Sequence, residues 1–310
     1  MFTEINTFLS DLIWGSILIY LLPILGIFFT VSSRFVQFRY FFKMFNILRD
    51  TVHDKDGHIS SFQALMLSVA GRVGGGNIAG VAVAISLGGA GAVFWMWVIA
   101  LVGMATSFFE CSLAQLYKEK DGLDSCVYRG GPAYYATKAL KQRWLGIVIS
   151  FLLLITFGFA FNATQSFIIS TSFEASFNLP TWVSGILLTI VFGITIFGGV
   201  RSITKMSEVI VPIMALGYLS IALVVIVLNI EEIPALVYMI VTEAFNPSSA
   251  IGGGIGAVIL QGAKRGMFSN EAGLGSAPNV AAVAYVAHPV QQGIVQSFSV
   301  FIDTIILCSC

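Results

Sequence analysis

Two short stretches of this 310-residue chain combine residue types that bind small ions. The first reads Ala70-Gly71-Arg72-Val73-Gly74-Gly75-Gly76-Asn77-Ile78-Ala79-Gly80. A glycine inside a helix costs roughly 1 kcal/mol against alanine, so three in succession predict a break in the backbone. Breaking a helix frees carbonyls at one half-helix end, which can replace the hydration shell of a cation such as Na⁺. At the other end, free N–H groups and the positive dipole suit a carboxylate. Close helix packing through small residues is the competing reading of the glycines. The second stretch reads Ala263-Lys264-Arg265-Gly266-Met267-Phe268-Ser269-Asn270-Glu271-Ala272-Gly273, then Leu274-Gly275-Ser276-Ala277-Pro278, a polar run between apolar ones.

Laid over each other without gaps, the two stretches match at Ala70/Ala263, Arg72/Arg265, Asn77/Asn270, Ala79/Ala272 and Gly80/Gly273. They fall five predicted helices apart. Five crossings is an odd number, so the second copy of a five-helix unit is inverted. Paired interruptions in an inverted repeat point to the binding site of a secondary transporter. The expected ligand carboxylate meets N–H groups at Gly75, Gly76 and Asn77. Its amine faces Ser269, Asn270 and Gly273 in the second break. Carbonyls of Ala70 and Val73, with the amide oxygen of Asn77, are the expected cation ligands. Arg72 and Glu271 have opposite charges at the two breaks and are expected to form an intramembrane pair or gate. Phe161, Asn162, Gln165 and Ile169 share one helical face. There Gln165 either reaches the ligand or bonds a neighbouring helix.

The elements that must position these residues follow from composition. Hydrophobic residues make up 57% and charged residues 10% of the chain, with a mean hydropathy of +0.89. Soluble domains carry ~25% charge, so this is an all-α polytopic membrane protein. With 16 cationic and 16 anionic residues, there is no basic excess for nucleic acid. Runs long enough to span a bilayer fall at 12–31, 62–88, 91–117, 145–172, 183–199, 207–228, 251–284 and 293–310. The basic, Phe-rich segment Arg34–Val52 reads as an interfacial helix. Thirteen of the sixteen cations, Lys55 among them, lie in 32–61, 118–144 and 200–206. The alternate loops 1–11, 89–90, 173–182 and 229–250 hold none, which predicts the N-terminus outside. Arg72, Lys264, Arg265, Glu110, Glu271 and Asp303 remain within or beside spans, where a charge by default marks a site. For Glu110 and Asp303, a position near a helix end or a bridge between helices is an equal reading.

The four cysteines show no metal-ligand spacing, and His53, His58 and His288 fall in loops. Nothing resembles a nucleophile–base pair, and acids such as Asp121 and Asp124 read as solvated surface, so an enzyme is not expected. No cofactor, no metal other than Na⁺ and no obligatory protein partner is expected. Two rivals are an ion channel, with the carbonyls of Gly74–Gly76 as filter, and a receptor that binds an amino acid without flux.

Four motifs then carry a resemblance. Gly74-Gly75-Gly76-Asn77-Ile78-Ala79-Gly80-Val81-Ala82, Gly91-Ala92-Val93-Phe94-Trp95-Met96-Trp97, Gly130-Gly131-Pro132-Ala133-Tyr134-Tyr135 and the Gly262–Gly273 block resemble the alanine or glycine:cation symporter family. The resemblance implies a LeuT-type fold of one peripheral helix and two inverted sets of five, in the plasma membrane. It also implies uptake of alanine or glycine with Na⁺, or with H⁺ in some members. On that plan residues 1–60 hold the peripheral helix and basic segment, 61–228 the first repeat and 229–310 an incomplete second repeat. The chain then reads as a fragment of about eight transmembrane helices. Gly75 stands where many members carry Ser or Thr, and Ala90 where a Pro is common.

Overall fold

A computed structural model describes residues 2–49, 57–122, 126–245 and 254–310. His53, Lys55 and Asp124 lie outside the described residues. The main helices are α1 (Glu4–Ser32), α2 (Ser61–Arg72), α3 (Gly75–Gly88), α4 (Gly91–Leu116), α5 (Arg143–Phe177) and α6 (Thr181–Phe197). They continue with α7 (Gly199–Leu228), α8 (Ile233–Glu243), α9 (Gly254–Asn270), α10 (Ser276–Val283) and α11 (Pro289–Ser309). Two-residue strands Glu119–Lys120 and Tyr128–Arg129 pair antiparallel in the α4–α5 connection.

Small residues put α4 at the centre. Ala92, Ala100, Gly103, Ala105, Ser107, Cys111 and Ala114 are buried along it, and α11, α9, α10, α8 and α1 all pack on it. Two approaches are too close for a side chain. A Cβ at Gly262 of α9 would lie 2.4 Å from the Ala92 carbonyl oxygen. One at Gly293 of α11 would lie 2.7 Å from that of Phe108. A second apolar cluster joins Leu65, Met66 and Val69 of α2 to Val211 of α7 and to Ile294, Val295 and Phe298 of α11. By contrast α5, α6 and α7 turn apolar side chains outward, and Phe197 is 95% exposed. In water such a surface aggregates; against lipid tails it is at rest.

Five of the helices, α1, α4, α5, α7 and α11, are long and apolar enough to cross a membrane. Helices α2 and α3 make a sixth span if the pair is taken as one, bent by 44° at its break. Three expectations change. The 183–199 run forms a 17-residue helix about 26 Å long, short of a ~30 Å hydrocarbon core. The 251–284 run is two helices, parted at residues 271–275. The 229–250 loop contains α8, because Ile233-Pro234-Ala235-Leu236-Val237 supplies a proline in the first turn and then a helical apolar run. The basic segment after α1 folds as two short helices, Val36–Arg39 and Lys43–Arg49. Arg34 and Phe35 turn the chain there with φ of 53° and 60°. Phe41 packs inward edge-to-face on Phe301 at 5.0 Å, while Phe38 and Phe42 face outward.

A candidate binding site at two helix breaks

Helix α2 begins on a capping box, with Ser60 and Gln63 each bonding the other's backbone N–H, and ends at Arg72. Val73 is extended, and Asn77 N–H donates to the Gly74 carbonyl at 3.1 Å as α3 starts. Side chains of neighbouring helices crowd these glycines. A Cβ at Gly74 would lie 2.7 Å from Gln165 Nε2, one at Gly75 2.2 Å from Ile168 Cδ1, and one at Gly76 3.2 Å from the Phe268 ring. Helices α5 and α9 therefore press on the break itself.

The freed N–H groups have stand-in acceptors. Gly74 N–H donates to Asn77 Oδ1 and Gly75 N–H to Gln165 Oε1, both at 3.0 Å. Gln165 thus supplies the acceptor for the first N–H of α3. Beside it, Phe268 stacks on Phe161 at a centroid distance of 5.4 Å. Both rings also line a cavity of about 210 Å³ with Trp14 and Leu274.

In the second break, Glu271, Gly273 and Gly275 have φ of 52°, 87° and 87°. Left-handed backbone at three of five positions ends α9 and resets the chain for α10. The overlay of the two stretches would place this break near Gly266. Gly266 instead sits inside α9, where a Cβ would meet Met96 Cα at 3.2 Å, so there it serves packing. Arg265 is consequently mid-helix, whereas its counterpart Arg72 ends a half-helix.

Asn77 and Ser269 join the breaks. Asn77 Nδ2 donates to Ser269 Oγ at 3.1 Å and to Asp303 Oδ1 at 2.7 Å. Ser269 and Thr304 hydroxyls each donate to Asp303 Oδ2 at 2.8 Å. All four residues are buried. Cys308 Sγ lies 3.3 Å from Ser269 Oγ. A buried carboxylate ringed by hydroxyls and an amide is a hard-donor set.

Three expected contacts are replaced by others in this geometry. Asn77 turns its nitrogen toward Asp303, because its oxygen is taken by the Gly74 N–H. Asn270 and Gly273 face α4 instead of Gly75. Asn270 Oδ1 accepts from Ala272 N–H at 2.9 Å, and Gly273 N–H donates to Glu110 Oε1 at 3.3 Å. Arg72 and Glu271 form no ion pair. The Arg72 guanidinium donates to Ser299 Oγ, to Ser107 Oγ and to the Gln296 carbonyl, and Glu271 accepts from the Ser276 hydroxyl. Neutral oxygens arrive at Arg72 from α4 and α11, so it ties α2 to those helices. Ala70 and Val73 close α2 against its apolar cluster. Phe268 and Ile168 escaped the sequence reading, since nothing in an apolar run marks a residue that abuts a glycine. Asp303 did carry a signal, a carboxylate within a span.

The fold and this site define a polytopic helical membrane protein with two broken helices meeting over a buried, hydrogen-bonded carboxylate. The chain belongs to the sodium:alanine symporter family, which matches residues 1–310. That family is one of sodium-coupled symporters. It is 50% identical over 300 residues to the amino-acid carrier protein AlsT of Bacillus subtilis (strain 168), covering 97% of this chain and 63% of that one. To the probable sodium/glutamine symporter GlnT of the same organism it is 47% identical, covering 97% and 62%. To the sodium/alanine symporter AgcS of Methanococcus maripaludis it is 40% identical, covering 98% and 68%. The chain thus spans a little under two thirds of the length of the first two relatives.

Proposed function

We propose that this chain carries the substrate and cation sites of a secondary active symporter that imports a small neutral amino acid, alanine or glycine, with Na⁺. The observation that carries this reading is the Gly75 N–H held by Gln165 Oε1. Displacing the Gln165 oxygen lets a carboxylate accept from Gly75 and Gly76 as α3 starts, with the α3 dipole behind it. The released Gln165 amide and Ser269 then face the ligand. Crowding around the glycines leaves room for little beyond a methyl group. Phe268 lines the 210 Å³ cavity and abuts Gly76, and rotation of that ring opens the way between them.

Na⁺ sits at Asp303. The hydroxyl oxygens of Ser269 and Thr304 turn toward the ion, Asn77 offers its amide oxygen after a flip, and carbonyls of Ala70 and Val73 complete the shell. Substrate and ion then share Ser269, which couples their binding. Both breaks close or open together as one repeat rocks against the other, giving alternating access in a LeuT-type fold. The cation bias of the loops supports an N-terminus outside a plasma membrane. Protein in liposomes loaded without Na⁺ takes up labelled alanine when Na⁺ is outside and not when choline replaces it. Equal uptake in choline overturns Na⁺ coupling.

Asp303 also favours a second reading, because a buried carboxylate accepts a proton where it accepts a cation. Uptake driven by an inward pH gradient in the absence of Na⁺ selects that reading. Alanine binding without flux under either gradient selects a receptor.

A further inference from the structure

Away from the breaks, a cavity of about 450 Å³ opens where the Pro132–Lys138 helix crosses the first turns of α5. The crossing is close because Gly146 permits it: a Cβ there would lie 2.8 Å from the Ala133 carbonyl oxygen. The inner wall is apolar along Ala133, Gly146 and Ile147, and the mouth carries Lys138 and Arg143. The Lys138 charge is offset, since Nζ lies 2.8 Å from Glu119 Oε1 and donates to the Tyr117 carbonyl at 2.9 Å. Lys141 and Arg143 make no ion pair or hydrogen bond among the described residues. Arg143 therefore stands uncompensated at the mouth, with Lys141 two residues before it in the chain.

The depth of this cavity in the bilayer follows from α5. Its 35 residues extend about 52 Å, beyond a ~30 Å hydrocarbon core, so its first residues reach the headgroup zone. Trp144 marks the boundary: its indole N–H donates to Gln142 Oε1 at 2.9 Å while its ring is exposed, the arrangement of an interfacial anchor. Ile147 and Phe151, exposed one and two turns further on, face acyl chains. The cavity thus has cationic charge at headgroup level and an apolar wall at chain level.

We propose that this cavity binds an anionic phospholipid, with Arg143 on the phosphate, Lys141 adding to the local field, and the glycerol backbone along Ala133, Gly146 and Ile147. A zwitterionic lipid lacks the net charge that two free cations select. The assignment is independent of the transport reading.

The test is native mass spectrometry of the purified protein in detergent with equal phosphatidylglycerol and phosphatidylcholine of matched chains. The protein retains phosphatidylglycerol preferentially. Arg143→Gln, an exposed change, lowers that preference about five-fold, as does Lys141→Gln. Ser150→Trp fills the inner end with the charges unchanged and removes the bound lipid. Equal retention of both lipids, or a preference unchanged in Arg143→Gln and Lys141→Gln, overturns the proposal. Release of phosphatidylglycerol by millimolar inorganic phosphate or glycerol 3-phosphate also overturns it, because the cavity then reads a free anion.

Discussion

The side-chain nitrogen of Asn77 stands 2.7 Å from Oδ1 of Asp303, linking the first broken helix to α11 across 226 residues of sequence. Asp303 also accepts from Ser269 and Thr304, so one carboxylate organises both breaks. Asp303→Asn keeps the shape and removes the charge. A charge-assisted contact is worth about 1.5–3 kcal/mol, so the Na⁺ concentration for half-maximal uptake rises roughly ten- to hundred-fold. An unchanged Na⁺ dependence excludes Asp303 from the cation site.

Gln165 separates two roles by charge. Gln165→Leu removes the amide that faces the bound ligand and weakens alanine binding about five-fold, the worth of one hydrogen bond near 1 kcal/mol. Gln165→Glu keeps an acceptor but places a fixed negative charge beside the incoming carboxylate. Binding by isothermal titration is then lost. If Gln165→Glu binds alanine as well as the parent, the carboxylate does not sit at Gly75.

Gly75 sits against Ile168. Gly75→Ala brings a Cβ to 2.2 Å from Ile168 Cδ1, and overpacking of this kind costs about 1–3 kcal/mol. Ile168→Val removes the colliding methyl. The thermal midpoint in detergent falls in Gly75→Ala and recovers in the double variant. Failure to recover would show that backbone conformation, not space, demands the glycine.

Arg72 and Glu271 are expected to behave as independent residues. Arg72→Lys loses the fork that reaches Ser299, Ser107 and the Gln296 carbonyl together and destabilises the protein. Exchanging the charges, Arg72→Glu with Glu271→Arg, restores nothing, because the guanidinium's partners lie on α4 and α11. Stability of the double variant above that of either single variant would revive a direct pair.

Lys118 lies past the end of α4, in the α4–α5 connection. Its Nζ donates to the Ala284 carbonyl at 2.6 Å and sits 4.1 Å from the Tyr128 ring centre. Burial lowers its pKa from the usual 10.5 to about 8. The unfolded chain then holds a proton that the folded chain releases between those values, so stability rises from pH 8 to 10.5. Below pH 8 both states are protonated and the burial penalty is constant. Thermal unfolding across this interval shows the rise, and Lys118→Met removes it.

Local chemistry was legible in the sequence wherever one residue type carries the reason. Three successive glycines foretold the break after Arg72, since a helix tolerates them poorly wherever it lies. The apolar runs foretold spanning helices, since length and hydropathy are properties of a segment alone. The polarity of 263–278 foretold an interruption, but its position five residues after Arg265 depended on which glycine packs and which turns. Gly266 and Gly273 look alike in the sequence. Only the approach of Met96 makes the first a contact and leaves the second to bend the chain. Partnerships were decided by the tertiary structure for the same reason. Opposite charges at Arg72 and Glu271 suggest a pair, yet α4 and α11 bring Ser107, Ser299 and a carbonyl to the guanidinium first. Asp303 gains its place only when α11 packs beside both breaks. A hydrogen bond is settled by distances of a few tenths of an ångström, and those depend on how whole helices cross, which no single segment of sequence contains.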